Sequence, residues 1–157
     1  MAEPNTGPFG SSAEALYALG YEPVALTGKR PIHDGWQHFD PDRLSTLVYT
    51  SPQANVGIST RGLAALDCDV YDKAVAEHMR AFVIRMCKKP GQKILFRVGQ
   101  APKWLALFTR AVPGPKRRSA VFEDARGRRH MLEWLGDGQQ FLAIGTHPET
   151  GRAMYWP

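Results

Sequence analysis

Apolar and polar positions change rhythm several times along this 157-residue chain. Ser11-Ser12-Ala13-Glu14 has the form of a capping box with Ser11 as N-cap; Ala15, Leu16, Tyr17 and Leu19 follow, and Gly20 closes the predicted helix. Tyr21 to Leu26 reads as a short strand, with Pro23 marking an edge or a start. A loop rich in turn residues, Thr27 to Gln37, carries Lys29, Arg30 and Trp36. Asp40-Pro41 opens a second helix that runs to about Thr50, since aspartate caps well and proline suits the first helical position. Asn55 to Ser59 is a strand, Arg61-Gly62 a tight turn, and Leu63 to Asp69 a strand that begins as a wholly apolar run. Asp72 caps a helix from Lys73 to about Met86, with Val75, Met79, Phe82 and Met86 at three- and four-residue steps. Beyond it the signals are those of strands: Lys93 to Val98, Lys103 to Thr109, Ala120 to Glu123, Arg129 to Leu135, Gln140 to Ile144 and Ala153 to Trp156, separated by Gly- and Pro-containing turns.

Helices and strands first, then an antiparallel meander, predict an α+β fold rather than a doubly wound parallel sheet. Residues 1–10 read as a flexible tail and 11–157 as a single domain, a length that supports one proper core. The last strand meets the chain end without a terminal helix, as in a domain cut from a longer protein. No stretch approaches the roughly 20 apolar residues of a membrane span, and Met1 to Gly10 lacks the basic and apolar regions of a signal peptide. Two cysteines, Cys68 and Cys87, are too few for a four-ligand zinc site or a disulfide framework, so a reducing, cytoplasmic setting is expected.

Charge adds more. The chain is +5 overall, but Arg85 to Arg129 holds thirteen of the twenty Lys and Arg residues and only two acids, Glu123 and Asp124. That segment is +11 and the remainder −6. Such asymmetry fits either a surface that meets phosphates or a solvated basic loop.

Within Leu66-Asp67-Cys68-Asp69-Val70 the two aspartates leave a strand on the same side, about 7 Å apart along the backbone, while Cys68 points to the opposite face and the core. Two carboxylates so close need solvent, a basic partner or a shared cation; a strand ending in a polar turn is the plainer alternative. On a later strand Glu133 lies among apolar neighbours, and an acid there must reach a metal or a basic side chain.

The ordered set Gly20-Tyr21, Gly28-Lys29-Arg30-Pro31 with Gly35-Trp36, Asn55-Val56-Gly57-Ile58, Leu66-Asp67-Cys68-Asp69, Arg97-Val98-Gly99-Gln100-Ala101-Pro102-Lys103, Glu133-Trp134-Leu135-Gly136-Asp137-Gly138-Gln139-Gln140-Phe141, Gly145-Thr146-His147-Pro148-Glu149-Thr150-Gly151 and Tyr155-Trp156 resembles the bifunctional primase–polymerase domain of the archaeo-eukaryotic primase superfamily, of the type found in phage, prophage and plasmid replication proteins. The resemblance runs from about Ala15 to Trp156. It implies an N-terminal α/β unit beside an RNA-recognition-motif-like antiparallel sheet, with the catalytic cleft between them. It also implies a DNA-templated nucleotidyltransferase, a primase or polymerase, that joins nucleoside triphosphates on single-stranded DNA. Asp67 and Asp69 match the family's first motif and Glu133 its third; these three acids would be catalytic and hold Mg²⁺ or Mn²⁺. Many members carry a Ser-x-His or Gly-x-His second motif. This chain has no histidine between Cys87 and Thr109 and resembles instead a phage-type Arg-x-Gly-x-x-Pro-Lys, which directs the nucleotide role to Lys103 and Arg97. His147 would contact a phosphate or simply hold its turn. Lys29, Lys116, Arg117 and Arg118 are the candidate DNA contacts, with a plain surface role as the alternative for Lys29. Trp36 and Trp104 are candidates for base stacking, Trp104 also for the core. A replicative helicase domain, C-terminal or in trans, is the implied partner. The competing reading is a catalytically lapsed domain that binds single-stranded DNA or a replication partner; a third is a sugar-nucleotide transferase, which also uses Asp-x-Asp.

Overall fold

The computed structural model describes residues 6–110 and 112–157. Its backbone divides into two compact units, the chain up to Arg61 with Gly138–Met154, and Gly62–Asp137 with Tyr155–Pro157.

The first unit contains helix α1 (Pro8–Ala18), strands β1 (Pro23–Thr27) and β2 (Arg30–Pro31), helix α2 (Pro41–Thr50), strand β3 (Asn55–Ser59) and strand β10 (Gln140–Ile144). Its antiparallel sheet runs β10-β3-β1-β2. Alternation along β1 divides the packing. Ala25 joins Phe9, Ala13, Leu44, Val48 and Val56 against the two helices, while Val24 and Leu26 pack with Leu142, Trp36 and Met154. The start of α1 differs from the sequence expectation. The helix begins at Pro8, so residues 8–10 are helical, and Gly7 rather than Ser11 is the N-cap. No side chain caps it. The main-chain N–H groups of Phe9 and Gly10 donate instead to the Pro52 carbonyl, and Phe9 N–H also reaches Ala54 O. A Cβ on Gly7 would collide with that same Pro52 carbonyl, so glycine is required by close approach. Asp40, by contrast, caps α2 as expected, accepting from Asp42 N–H at 3.0 Å.

The second unit contains β4 (Leu63–Asp69), α3 (Lys73–Cys87), β5 (Leu95–Arg97), β6 (Trp104–Thr109), β7 (Arg117–Arg118), β8 (Phe122–Glu123) and β9 (Arg129–Leu135). The sheet order is β5-β6-β4-β9-β7, every pairing is antiparallel, and β8 adds to β9. The four longer strands follow the order of a split β-α-β-β-α-β sheet, but among the described residues between β6 and β9 there is no second helix. One face of this sheet packs on α3: Cys68, Val70, Phe96, Trp104 and Ala106 close over Ala76 and Val83. The buried stripe of α3 is therefore rotated from the expected one, since Val75, Phe82 and Met86 are exposed. Trp104 explains the rotation. Its indole N–H donates to the Ala76 carbonyl at 2.9 Å, which brings the helix close at a small residue. Trp104 is thus a core residue, not a base-stacking platform. The expected strand at Ala153 to Trp156 reduces to isolated bridges, Thr146 with Ala153 and Val98 with Tyr155.

The fold is mixed α+β with antiparallel sheets, as the element order predicted. Among the described residues no helix is long and apolar enough to cross a membrane.

Candidate metal and nucleotide site

The site is assembled by strand register in the second unit. Asp67 on β4 stands directly opposite Glu133 on β9, and the row continues through Leu105 on β6 to Arg97 on β5, and on the other side to Arg118 on β7. Residues directly opposed in antiparallel strands share a face, so Arg97, Asp67, Glu133 and Arg118 line one transverse row. Asp69 lies two residues further along the same face of β4. One carboxylate oxygen from each of Asp67, Asp69 and Glu133 lies within 4.8 Å of the others, and all three side chains are half-buried. Cys68, between the aspartates, is fully buried on the α3 face. Burial, with the Asp67 charge adding, pushes its thiol up to about 12, so it stays a neutral core group.

Like charges set opposite each other destabilise a sheet unless cations meet them. Among the described residues Lys103, Lys116 and Arg97 do so. Lys103 Nζ is 3.3 Å from Asp69 Oδ1, and Lys116 Nζ is 2.9 Å from Glu133 Oε1. Arg97 is pulled down from the usual guanidinium range by burial, while the charges of Asp67 and Asp69 work to hold its proton. Burial also works against the Lys103 ammonium, but Tyr71 and Asp69 outweigh it and its pKa is raised. Lys103 sits 3.8 Å from the centre of the Tyr71 ring. It is reached through a tight turn in which Lys103 N–H donates to Gln100 O at 2.9 Å. An all-oxygen donor set of this kind suits hard divalent cations such as Mg²⁺ or Mn²⁺.

A family model described as bifunctional DNA primase/polymerase, N-terminal, matches residues 13–157. The chain belongs to this family. No curated protein and no solved structure gives a match. Membership in the primase/polymerase family points to nucleotidyl transfer of the primase or polymerase type, with DNA and nucleotides as substrates.

The residues expected to act together in this primase/polymerase domain fall into two groups. Asp67, Asp69, Glu133, Arg97, Lys103, Lys116, Arg117 and Arg118 belong to the second unit, Lys29 and His147 to the first. Arg117 and Arg118 are exposed on β7. Lys116 is exposed yet engaged with Glu133, so the basic partner of that acid is a lysine from the segment just before β7. Lys29 is exposed in the β1–β2 turn, and its carbonyl accepts from Gln140 Nε2 at 2.9 Å. His147 is 4% exposed, and its Nδ1 accepts from the N–H groups of Glu149 and Thr150 at 3.3 and 3.4 Å, which organises its turn. Sequence reasoning missed Tyr71, whose ring lies against the Lys103 ammonium. The one signal for Tyr71 was its position two residues beyond Asp69, in step with the acids.

Proposed function

We propose that this domain catalyses DNA-templated joining of nucleoside triphosphates, with Asp67, Asp69 and Glu133 holding Mg²⁺ or Mn²⁺. The observation that carries this reading is the convergence of three carboxylates within 4.8 Å on one sheet face, two of them directly opposed. In the reaction the oxygen of a primer 3′-hydroxyl attacks the α-phosphorus of the incoming triphosphate and gives its proton to solvent, a new P–O bond forms, and the bond from the α-phosphorus to the bridging oxygen breaks with its electron pair leaving on pyrophosphate. Bound divalent ions supply charge neutralisation and alignment of the attacking and leaving oxygens. Lys103 and Arg97 meet the triphosphate and balance its charge before and during the transfer alike. Arg117 and Arg118, exposed on the edge strand, follow template or primer phosphates, as does Lys29. Lys116 joins them once released from Glu133. A phosphate contact from His147 rests on the family resemblance alone. The setting is replication of a phage, prophage or plasmid genome in the cytoplasm, with a helicase domain as partner.

The test is primer synthesis and extension on single-stranded DNA with Mg²⁺ or Mn²⁺, beside the Asp67→Ala and Glu133→Ala variants. Product from the parent protein that vanishes in folded variants is the expected result. Normal synthesis by either variant refutes the assignment. Absence of product together with tight, salt-sensitive DNA binding in all three proteins marks a lapsed, DNA-binding domain instead.

A further inference from the structure

Behind Lys103 runs a chain of contacts that ends in a group with no part in phosphoryl transfer. The Lys103 ammonium lies over the Tyr71 ring at 3.8 Å. Tyr71 meets the His130 ring edge-on, with centroids 5.8 Å apart and planes at 88°. Its main-chain N–H donates to His130 Nδ1 at 3.1 Å. Because Nδ1 accepts, the ring proton sits on Nε2, which lies 2.9 Å from Asp124 Oδ2. Asp124 is fixed in turn by the main-chain N–H groups of Arg126 and Arg128 at 2.9 and 3.0 Å, and by Arg128 Nε at 2.8 Å. The hairpin between β8 and β9 thus selects one histidine tautomer, and that tautomer pins the backbone where β4 leaves the acid pair.

We propose that His130 and Asp124 are positioning residues for the triphosphate seat: they hold Tyr71, and Tyr71 holds Lys103 beside Asp69. This deepens the nucleotidyl-transfer reading and rests on it. Neither residue touches substrate. Their effect is to keep a four-carbon side chain, which otherwise samples many rotamers, in one place. Substitutions at His130 separate the two bonds. His130→Asn places an amide oxygen near Nδ1 and keeps the acceptor for Tyr71 N–H. His130→Phe keeps ring volume and loses both bonds.

The experiment measures kcat and KM for the nucleotide in primer extension, and Mn²⁺-nucleotide binding by calorimetry, for the parent, His130→Phe, His130→Asn and Asp124→Asn proteins. His130→Phe is expected to raise nucleotide KM and dissociation constant about tenfold with kcat changed by less than about threefold, the signature of lost ground-state and transition-state binding in equal measure. His130→Asn is expected to recover most of the loss, and Asp124→Asn to fall between. Unchanged nucleotide affinity in folded His130→Phe overturns the proposal alone, as does a His130→Asn protein no better than His130→Phe. Loss of the native circular-dichroism spectrum in both His130→Phe and Asp124→Asn assigns the pair to folding and overturns it too. A parent protein that neither extends primers nor binds nucleotide overturns the nucleotidyl-transfer reading and this proposal with it.

Discussion

Replacing Lys116 by methionine tests how the three acids are neutralised. The cluster of Asp67, Asp69 and Glu133 carries three negative charges, and Arg97, Lys103 and Lys116 bring three positive ones to it. A divalent ion entering this balanced set meets Lys116 as a competitor for Glu133. At 2.9 Å two unit charges would interact by about 6 kcal/mol at an effective dielectric constant near 20. Lys116 is 40% exposed, however, and Glu133 14%, so solvent screens much of this. Measured pairs with such exposure contribute about 0.2–1 kcal/mol. The upper end of that range corresponds to roughly fivefold in affinity. Lys116→Met keeps the aliphatic stem and removes the charge. It should therefore bind Mn²⁺ about two- to fivefold more tightly than the parent, read from the electron paramagnetic resonance signal of free Mn²⁺ in a titration without nucleotide. In chelator the variant should melt lower, because Glu133 then opposes Asp67 without its lysine, and saturating Mn²⁺ should close the gap. Equal or weaker Mn²⁺ binding by a folded Lys116→Met protein would refute the competition.

Two further outcomes follow from the ionisable groups. The Asp124 carboxyl is held well below its usual range by His130 first, and by Arg128 and the Arg126 main chain, with burial opposing. A depressed carboxyl stabilises the fold above the unfolded group's range near 3.8 and loses that contribution as pH falls below it. Asp124→Asn should thus lower urea stability at pH 7 and differ progressively less from the parent below about pH 4; a gap that persists to the lowest pH contradicts the charge-based account. Of the two cysteines, exposed Cys87 should react with a thiol reagent in the native protein at pH 8, whereas Cys68, buried and with its thiol pushed up to about 12, should react only after denaturation. Titration of two thiols in the native state contradicts this.

Local signals were the legible ones. Asp40-Pro41 located α2 because cap and first-turn chemistry reside in adjacent residues. The apolar run ending in Asp67-Cys68-Asp69 located β4 and its two faces. Where partners come from afar the sequence misled. The α1 start is capped by carbonyls near Pro52, so a Ser-x-x-Glu pattern one turn inside it looked like the boundary. The exposed face of α3 carries Val75, Phe82 and Met86 at helical spacing, while small Ala76 sits beneath Trp104, and spacing alone does not tell which stripe the sheet covers. The three acids were legible as a set through the family resemblance, but their meeting depends on the pairing of Asp67 with Glu133. The Lys116 contact depends on the pairing of β7 with β9, and the Tyr71–His130 contact on that of β4 with β9; neither left a local trace.

Arg97, Asp67, Glu133 and Arg118 occupy a single rung across five strands. A rung is indifferent to the length of the connections that lead to it and intolerant of any change within the strands. Chains of this kind can lengthen, shorten or exchange the segment between β6 and β7 and keep the acids opposed. One residue inserted within β9 ahead of Glu133 sends that carboxylate to the face that packs on α3. Diversification of such a domain is therefore confined to its loops, where contacts to template and partner can be rewritten while the rung stays as it is.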